Sequence, residues 1–442
     1  MAKLFRYKTI RDPLYGFVEI SERETQVIDT EVFRRLQYIK QLSHAYVVYP
    51  SAVHTRFEHS LGTTHVAGRL CSELELDDEK TAIVRLSALL HDIGHGPFSH
   101  LFEHTLQKIN PNVPDIHEVI SRSIIHTDYE LDKILKDDKK QIIQILEKKK
   151  SKDWFTSGKS LLSDIVSGTL DADKFDYLRR DSYHIGVAYG QFDLERILHT
   201  ITSAPGKRPQ LCMTEKGVDA IENYRIARYL MHAQVYEHHA RLVADQMFLN
   251  ALDIAIHQEN IIESDSLKIN ENDYDSNKEF LTYYNTLDDN SIYNTIMNNP
   301  NAKISKEILS NIKRRKLLKR ACQFIPNDIS DPTIKQEILR MEQPDLDKIA
   351  NEVSESLGLP SHEVIFYLSN INIKLYKDGD ILFLDKNQQP HDVKESSPIS
   401  AAKFVLRYYV FGPRDREIRK KIAEKIAERL EIPSEKITTV TQ

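Results

Sequence analysis

Apolar residues recur at threes and fours through TAIVRLSALLHDI (residues 81–93), DIHEVISRSIIH (115–126), the long stretch GVDAIENYRIARYLMHAQVYEHHARLVADQMFLNALDIAIHQ (217–258) and EILSNIKRRKLLKRACQF (307–324). Proline is absent from all four interiors, so each is predicted to be an amphipathic helix. The first three hundred or so residues therefore read as all-α. Between 258 and 303 the sequence turns polar and Asn-rich, which predicts an exposed or mobile segment more than a core. The carboxy-terminal part changes period. Ile371, Ile373 and Leu375 alternate with polar residues, Asp378 and Gly379 supply a turn, and Ile381 and Phe383 resume the alternation, which predicts a β-hairpin. KFVLRYYVFGP (403–413) is predicted as a third strand, and Pro413 with Asp415 opens a helix striped by Ile418, Ile422, Ile426 and Leu430. The expected fold is mainly α, with a helical core over 1–325 and a smaller α+β lobe over 326–442.

Composition narrows the class. With 442 residues the chain is long enough to bury more than one core. A formal net charge of −6 gives no bulk basicity for nucleic acid, so a nucleic-acid partner is not expected. The amino terminus MAKLFRYKTIRDPLYG has no apolar signal core, and no window approaches the roughly 18 to 20 apolar residues that span a bilayer, so no membrane partner and a cytoplasmic location are expected. Cys71, Cys212 and Cys322 are too few and too scattered for a disulfide framework or a thiolate zinc site. The run Arg419, Lys420, Lys421 and Lys425 reads as a solvated helix face.

The candidate chemistry lies where helices end. In LLHDIGHGPFSH (89–100), His91 and Asp92 follow a buried apolar run, and Gly94, Gly96 and Pro97 stop the helix there. A carboxylate beside an apolar helix is costly to bury unless it is paired or bound to a metal, and imidazole with carboxylate is a common ligand set for divalent ions. A His-Asp dipeptide alone could equally cap a helix end. Other clusters join it: His54, His59 and His65 around Arg56 and Glu58; Asp173, Tyr177 and Asp181 four residues apart beside Lys174; and Arg228, His232 and Tyr236 at the same spacing. Two polar stripes beside two histidine clusters point to a polar cleft.

His59, the pair His91-Asp92 and Asp173 match in order the H…HD…D pattern of the HD-domain metal-dependent phosphohydrolases. Around them DPLYGFVEI, FRRLQYIKQL, YPSAVHTRFEHSLGT, LLHDIGHGPFSH, IHE and DADKFDYLRRD resemble the catalytic core of the SAM-and-HD-domain deoxynucleoside triphosphate triphosphohydrolases and their microbial relatives, clearly over about residues 8 to 250. The chain is expected to hold an HD-domain helical core without a SAM module. The resemblance implies a divalent metal, one of Mn, Mg, Fe, Zn or Ni, held by His59, His91, Asp92 and Asp173, and hydrolysis of deoxynucleoside triphosphates to deoxynucleoside and triphosphate.

It further implies His117 as catalytic histidine, with Glu118 beside it to fix its tautomer, and His95 close to the α-phosphate. Arg56, Lys174, Arg228 and His100 would meet phosphate oxygens, with His232 in the same stripe. Gln41 and Asp181 would read the 3′-hydroxyl, Tyr177 and Tyr236 would wall off a 2′-hydroxyl, and Leu42 and Glu237 would face the base, Glu237 standing where the family often has Gln. A regulatory nucleotide would meet Arg196, Lys216, Arg315 and Lys319, with Asp12 and Asp29 reading its base, between subunits of a homo-tetramer or dimer. Arg11, Phe17, Arg34 and Gln37 depart from the pattern best known for that site. Beside this reading stand another HD phosphohydrolase, acting on a nucleoside monophosphate, cyclic nucleotide or guanosine alarmone, and a non-catalytic nucleotide- or nucleic-acid-binding protein on the same scaffold.

Overall fold

The structure, a computed structural model, describes residues 7–147, 159–204, 210–271, 273–369, 381–393, 406–433 and 436–439. Contacts divide the chain into two units, Met1–Met231 with Ile262–Thr295 and Leu375–Ala401, and His232–Ile261 with Ile296–Lys374 and Ala402–Gln442. The lobe expected from residue 326 thus falls largely in the second unit, which also takes in two earlier stretches.

The first unit opens on a hairpin, not a helix: β1 (Lys8–Asp12) pairs antiparallel with β2 (Gly16–Ile20). Asp12 closes its turn by accepting hydrogen bonds from the amides of Leu14 and Tyr15, and Gly16 takes φ +75°. The all-α expectation misses this because five-residue strands leave too little alternation to outweigh the helical signal that follows. The core helices are α1 (Arg56–Glu73), α2 (Asp78–Leu90), α3 (His100–Ile109), α4 (Ile116–Thr127) and α5 (Ala172–Ile185). Asp77 caps α2 through the amide of Lys80, Asp171 caps α5 through that of Lys174, and Gly186 ends α5 in the left-handed region. α1 packs against both α2 and α5. Leu86, Leu89 and Leu90 of α2 are buried, each contributing roughly 1.5–3 kcal/mol of transfer free energy. A small sheet orders Ile201–Ser203, Leu211–Thr214, Leu382–Leu384 and Pro390–Asp392, and α6 (Val218–Met231) completes the unit. Of the expected hairpin, 370–380 lies outside the described residues.

The polar stretch after 258 is more ordered than its composition suggests. Helix Lys278–Tyr284 buries Phe280, Leu281 and Tyr284, and Leu287 and Ile292 are also buried. Its asparagines do structural work: Asn277 donates to Ser123 Oγ and to the carbonyl of Asn270. Sparse apolar residues at the right spacing suffice when turns carry their own hydrogen bonds.

In the second unit, the helix expected across 217–258 is interrupted. α6 stops at Met231, His232–Tyr236 form a π turn, and α7 (His239–His257) restarts with His238 as its cap. α8 (Ile304–Lys313) is capped by Arg314, and Arg315 then takes φ +54°, so LKRACQF continues not as helix but into β3 (Lys319–Phe324). With β4 (Ile365–Ser369), β5 (Arg407–Gly412) and Thr438–Thr439 it forms an antiparallel sheet, ordered Thr438–Thr439, β3, β5, β4. α9 (Arg416–Arg429) turns Ile422 and Ile426 into a core with Cys322, Phe324, Phe366, Tyr408 and Val410. Arg419, expected in solvent, is 9% exposed and donates to the carbonyls of Pro413 and Arg414 at 3.3 and 2.5 Å. The three cysteines are free and buried.

Candidate active site

The turn after α2 is held from several sides. Gly94 has no room for a side chain, since a Cβ would meet the His117 carbonyl and the Ser121 amide nitrogen at 2.3 Å. Tyr284 donates to the Gly94 carbonyl at 2.8 Å, Arg35 to that of Ile93 at 2.9 Å, and Asp289 accepts from the Phe98 amide at 2.6 Å. Phe98 and Ser99 take positive φ, a strained backbone that surrounding contacts must hold.

Around this turn four side chains converge. His59 Nε2 lies 3.1 Å from Asp173 Oδ1 and 3.6 Å from Asp92 Oδ2; His91 Nε2 lies 3.2 Å from Asp92 Oδ1 and 3.7 Å from Asp173 Oδ1. Among the described residues, His59, His91 and Asp173 offer ligand atoms within 4.8 Å of one another, and so do His95, His100, Glu103 and His117. The donor set fits a metal. His59 Nδ1 donates to Asp176 at 2.9 Å and His91 Nδ1 to the carbonyl of Ala88 at 2.7 Å, which leaves each Nε2 lone pair turned inward. His91 Nε2 is buried with no hydrogen-bond partner among the described residues. Burial opposes charge on His59, yet Asp173, Asp176 and Asp92 overcome it and raise its pKa to about 10, so these carboxylates call for a cation. Asp176 is itself held by Arg180 and by the Tyr15 hydroxyl.

A second cluster adjoins the first. His95 Nε2 lies 3.3 Å from Asp92, and its ring stacks at 4.5 Å and 9° on His117. Glu103 joins both: Oε1 lies 2.5 Å from His95 Nδ1, and Oε2 accepts from His117 Nδ1 at 3.0 Å. It is therefore Glu103 and not Glu118 that hydrogen-bonds the ring of His117; Glu118 turns to Arg122 at 3.4 Å. Sequence adjacency misled because neighbours on a helix point about 100° apart, whereas Glu103 arrives from α3. Burial and Arg56 press the His95 pKa down to about 4 and keep it neutral. Burial opposes charge on His117, but Glu103 prevails and raises its pKa.

The remaining expected residues divide. Arg56 donates to Asp92 at 2.5 Å and to Ser99 Oγ at 2.7 Å. Lys174 is engaged by Asp171 at 2.6 Å and by the carbonyl of Gly168. His100 is largely exposed and bonds Glu103 at 3.2 Å. Tyr177 lies 6.4 Å from the His59 ring, its pKa pushed up to about 12 by burial against the pull of Arg228 and Lys174. Gln41 Oε1 is buried without a hydrogen-bond partner among the described residues, and Leu42 is buried. Asp181 pairs with His54 at 2.8 Å.

In the second unit, His232 and Tyr236 meet edge to face at 4.8 Å, and Glu237 accepts from Ser369 at 2.7 Å. Of the regulatory set, Asp12 is buried against Arg180 at 2.9 Å, Asp29 pairs with Arg34, and Arg196 donates to the Lys216 carbonyl. Burial first, then Arg414, Arg315 and Arg419, lower the Lys319 pKa, so Lys319 belongs to a cationic group.

A helical core that brings His59, His91 and Asp173 within ligand reach of one another, with Asp92 3.2 Å from His91 and a carboxylate-bound histidine alongside, has the residue types of a histidine-aspartate phosphohydrolase site. The chain belongs to the HD-domain family, with an HD domain matched over residues 56–181 and an HD-associated region over 192–374. Among its relatives, an uncharacterized protein of Methanocaldococcus jannaschii is 42% identical over 58% of this chain and 51% of its own length, and an uncharacterized Bacillus subtilis protein 36% over 53% of each. The chain thus spans about half the length of these two. The deoxynucleoside triphosphate triphosphohydrolase SAMHD1 homolog of Dictyostelium discoideum is 30% identical over 79% of this chain and 66% of that one. A hypothetical protein from Aquifex aeolicus, known from a crystal structure, superposes with a TM-score of 0.72 at 29% identity, covering 95% of this chain and 99% of that one.

Proposed function

We propose that the chain hydrolyses deoxynucleoside triphosphates to deoxynucleoside and inorganic triphosphate. The observation that carries this reading is the meeting of His59, His91, Asp92 and Asp173 beside the Glu103–His117 pair, with Tyr177 one turn along α5 from Asp173. Relatives bearing the triphosphohydrolase name support it. A divalent metal on the four ligands would supply Lewis acidity toward an α-phosphate oxygen and its water. Arg56 neutralises phosphate charge from its seat between Asp92 and Ser99. Lys174 and Arg228 add cationic charge flanking Tyr177. His117, its pKa raised by Glu103 against the effect of burial, hands a proton to the departing 5′-oxygen. His95 stays neutral and stacks on His117, fixing the plane of that ring. The half-buried Tyr177 excludes a 2′-hydroxyl, so deoxyribose is preferred.

Activation by a nucleotide between subunits of a tetramer belongs to the same proposal, with Arg196, Lys216, Arg315 and Lys319 meeting phosphates. The test is incubation of metal-loaded protein with each deoxynucleotide and ribonucleotide, singly and in pairs, with products resolved by chromatography. Deoxynucleoside plus triphosphate supports the proposal; monophosphate plus pyrophosphate overturns it. Turnover only in mixtures, together with a nucleotide-dependent rise in mass by light scattering, supports activation.

A further inference from the structure

His54 has no part in the chemistry above, yet its place is unusual. Its side chain is fully buried, Nε2 lies 2.8 Å from Asp181 Oδ1, and Nδ1 has no hydrogen-bond partner among the described residues. Against a carboxylate, Nε2 carries the proton and donates it. The ring stacks on His184 at 4.5 Å and 10°, which fixes its plane. Its carbonyl accepts the Gln41 amide at 3.0 Å. One residue thus holds Asp181 through its side chain and the main chain of Gln41 through its backbone. Asp181 shares a face of α5 with Asp173 and Tyr177, eight and four residues away, so it lies two turns along the helix from Asp173 with Tyr177 between them.

We propose that His54 is a positioning residue for sugar recognition: by donating Nε2–H to Asp181 it orients that carboxylate, and through its carbonyl it sets Gln41, for reading of the 3′-hydroxyl. This rests on the deoxynucleotide reading and names a residue that acts through two others. A buried carboxylate held by a fixed donor keeps its orientation, whereas an unrestrained one must be ordered on binding.

The test is a competition in one tube between the deoxynucleotide turned over fastest and its 2′,3′-dideoxy analogue, reading the ratio of their kcat/KM values. That ratio is insensitive to the fraction of protein that is folded, metal-loaded or activated. His54→Phe keeps the stack on His184 and removes the donor; the preference for the 3′-hydroxyl is expected to fall about tenfold, the size of a hydrogen bond to a charged group. His54→Gln, whose amide reaches the same acceptor, is expected to restore most of it. Should His54→Phe not accumulate as soluble protein, His54→Asn, too short to reach Asp181, carries the same expectation. An unchanged ratio in the donor-less variants, or a wild type indifferent to the 3′-hydroxyl, overturns the inference while leaving triphosphate release intact. A wild type that releases no triphosphate overturns the proposed function, and this inference with it.

Discussion

At the scale of residues, the proposed mechanism turns on which carboxylate serves His117. Glu103→Gln removes the anion that raises the His117 pKa and is expected to lower kcat by about 10² to 10⁴, the usual worth of general acid–base catalysis. Glu118→Gln, which loses only its contact with Arg122, is expected to cost little; equal losses in steady-state assays would contradict the assignment. Asp92→Ala is expected to abolish turnover and to lower bound metal measured by atomic emission. A pH dependence follows from His65. Burial, with Arg69 and Arg85, depresses its pKa to about 4 from 6.5. Between those values the unfolded chain binds the extra proton, so stability is full above the unfolded pKa and falls as pH drops toward 4. The urea midpoint of the wild type should therefore decline from pH 7 to pH 5, and His65→Gln should flatten that slope.

At the scale of elements, the site depends on how the turn after α2 is clamped. Gly94→Ala forces a methyl against the main chain of α4 and is expected to destabilise by about 1–3 kcal/mol, as overpacking does. Tyr284→Phe removes the hydroxyl bond to the Gly94 carbonyl and is expected to cost about 1 kcal/mol by urea denaturation, with loss of activity following from a loosened turn. This clamp was not legible in the sequence. Tyr284 and Asp289 lie in a polar, Asn-rich stretch whose composition hides two anchors nearly two hundred residues from the turn they hold. The end of α2 was legible, because Gly94, Gly96 and Pro97 act locally. The breaks at 231 and 313 were not. Nothing in ARYLMHAQVY forbids helix, and KRACQF becomes a strand only because β5 lies beside it.

At the scale of the whole molecule, His59 and His91 crowd against the carboxylates of Asp92 and Asp173 in a place suited to a cation, so metal should stabilise the fold. Chelation is expected to lower the melting temperature in differential scanning fluorimetry and reloading to restore it; a metal held at a hundred times its dissociation constant adds about 2.7 kcal/mol. An unchanged melting temperature after proven removal of metal would count against the four-ligand site. Among the described residues no helix is long and apolar enough to cross a membrane, in line with the hydropathy of the sequence. The sequence by itself determined the helical character, the ligand types and their order, because periodicity and the identity of titratable side chains are written locally. Only the tertiary structure decided that Glu103 holds His117, that His54 holds Asp181, that Asp12 belongs to Arg180 and that Lys174 is tied to Asp171. Each of these is a choice among chemically equivalent partners, and it falls to whichever group packing brings within hydrogen-bond reach and out of water.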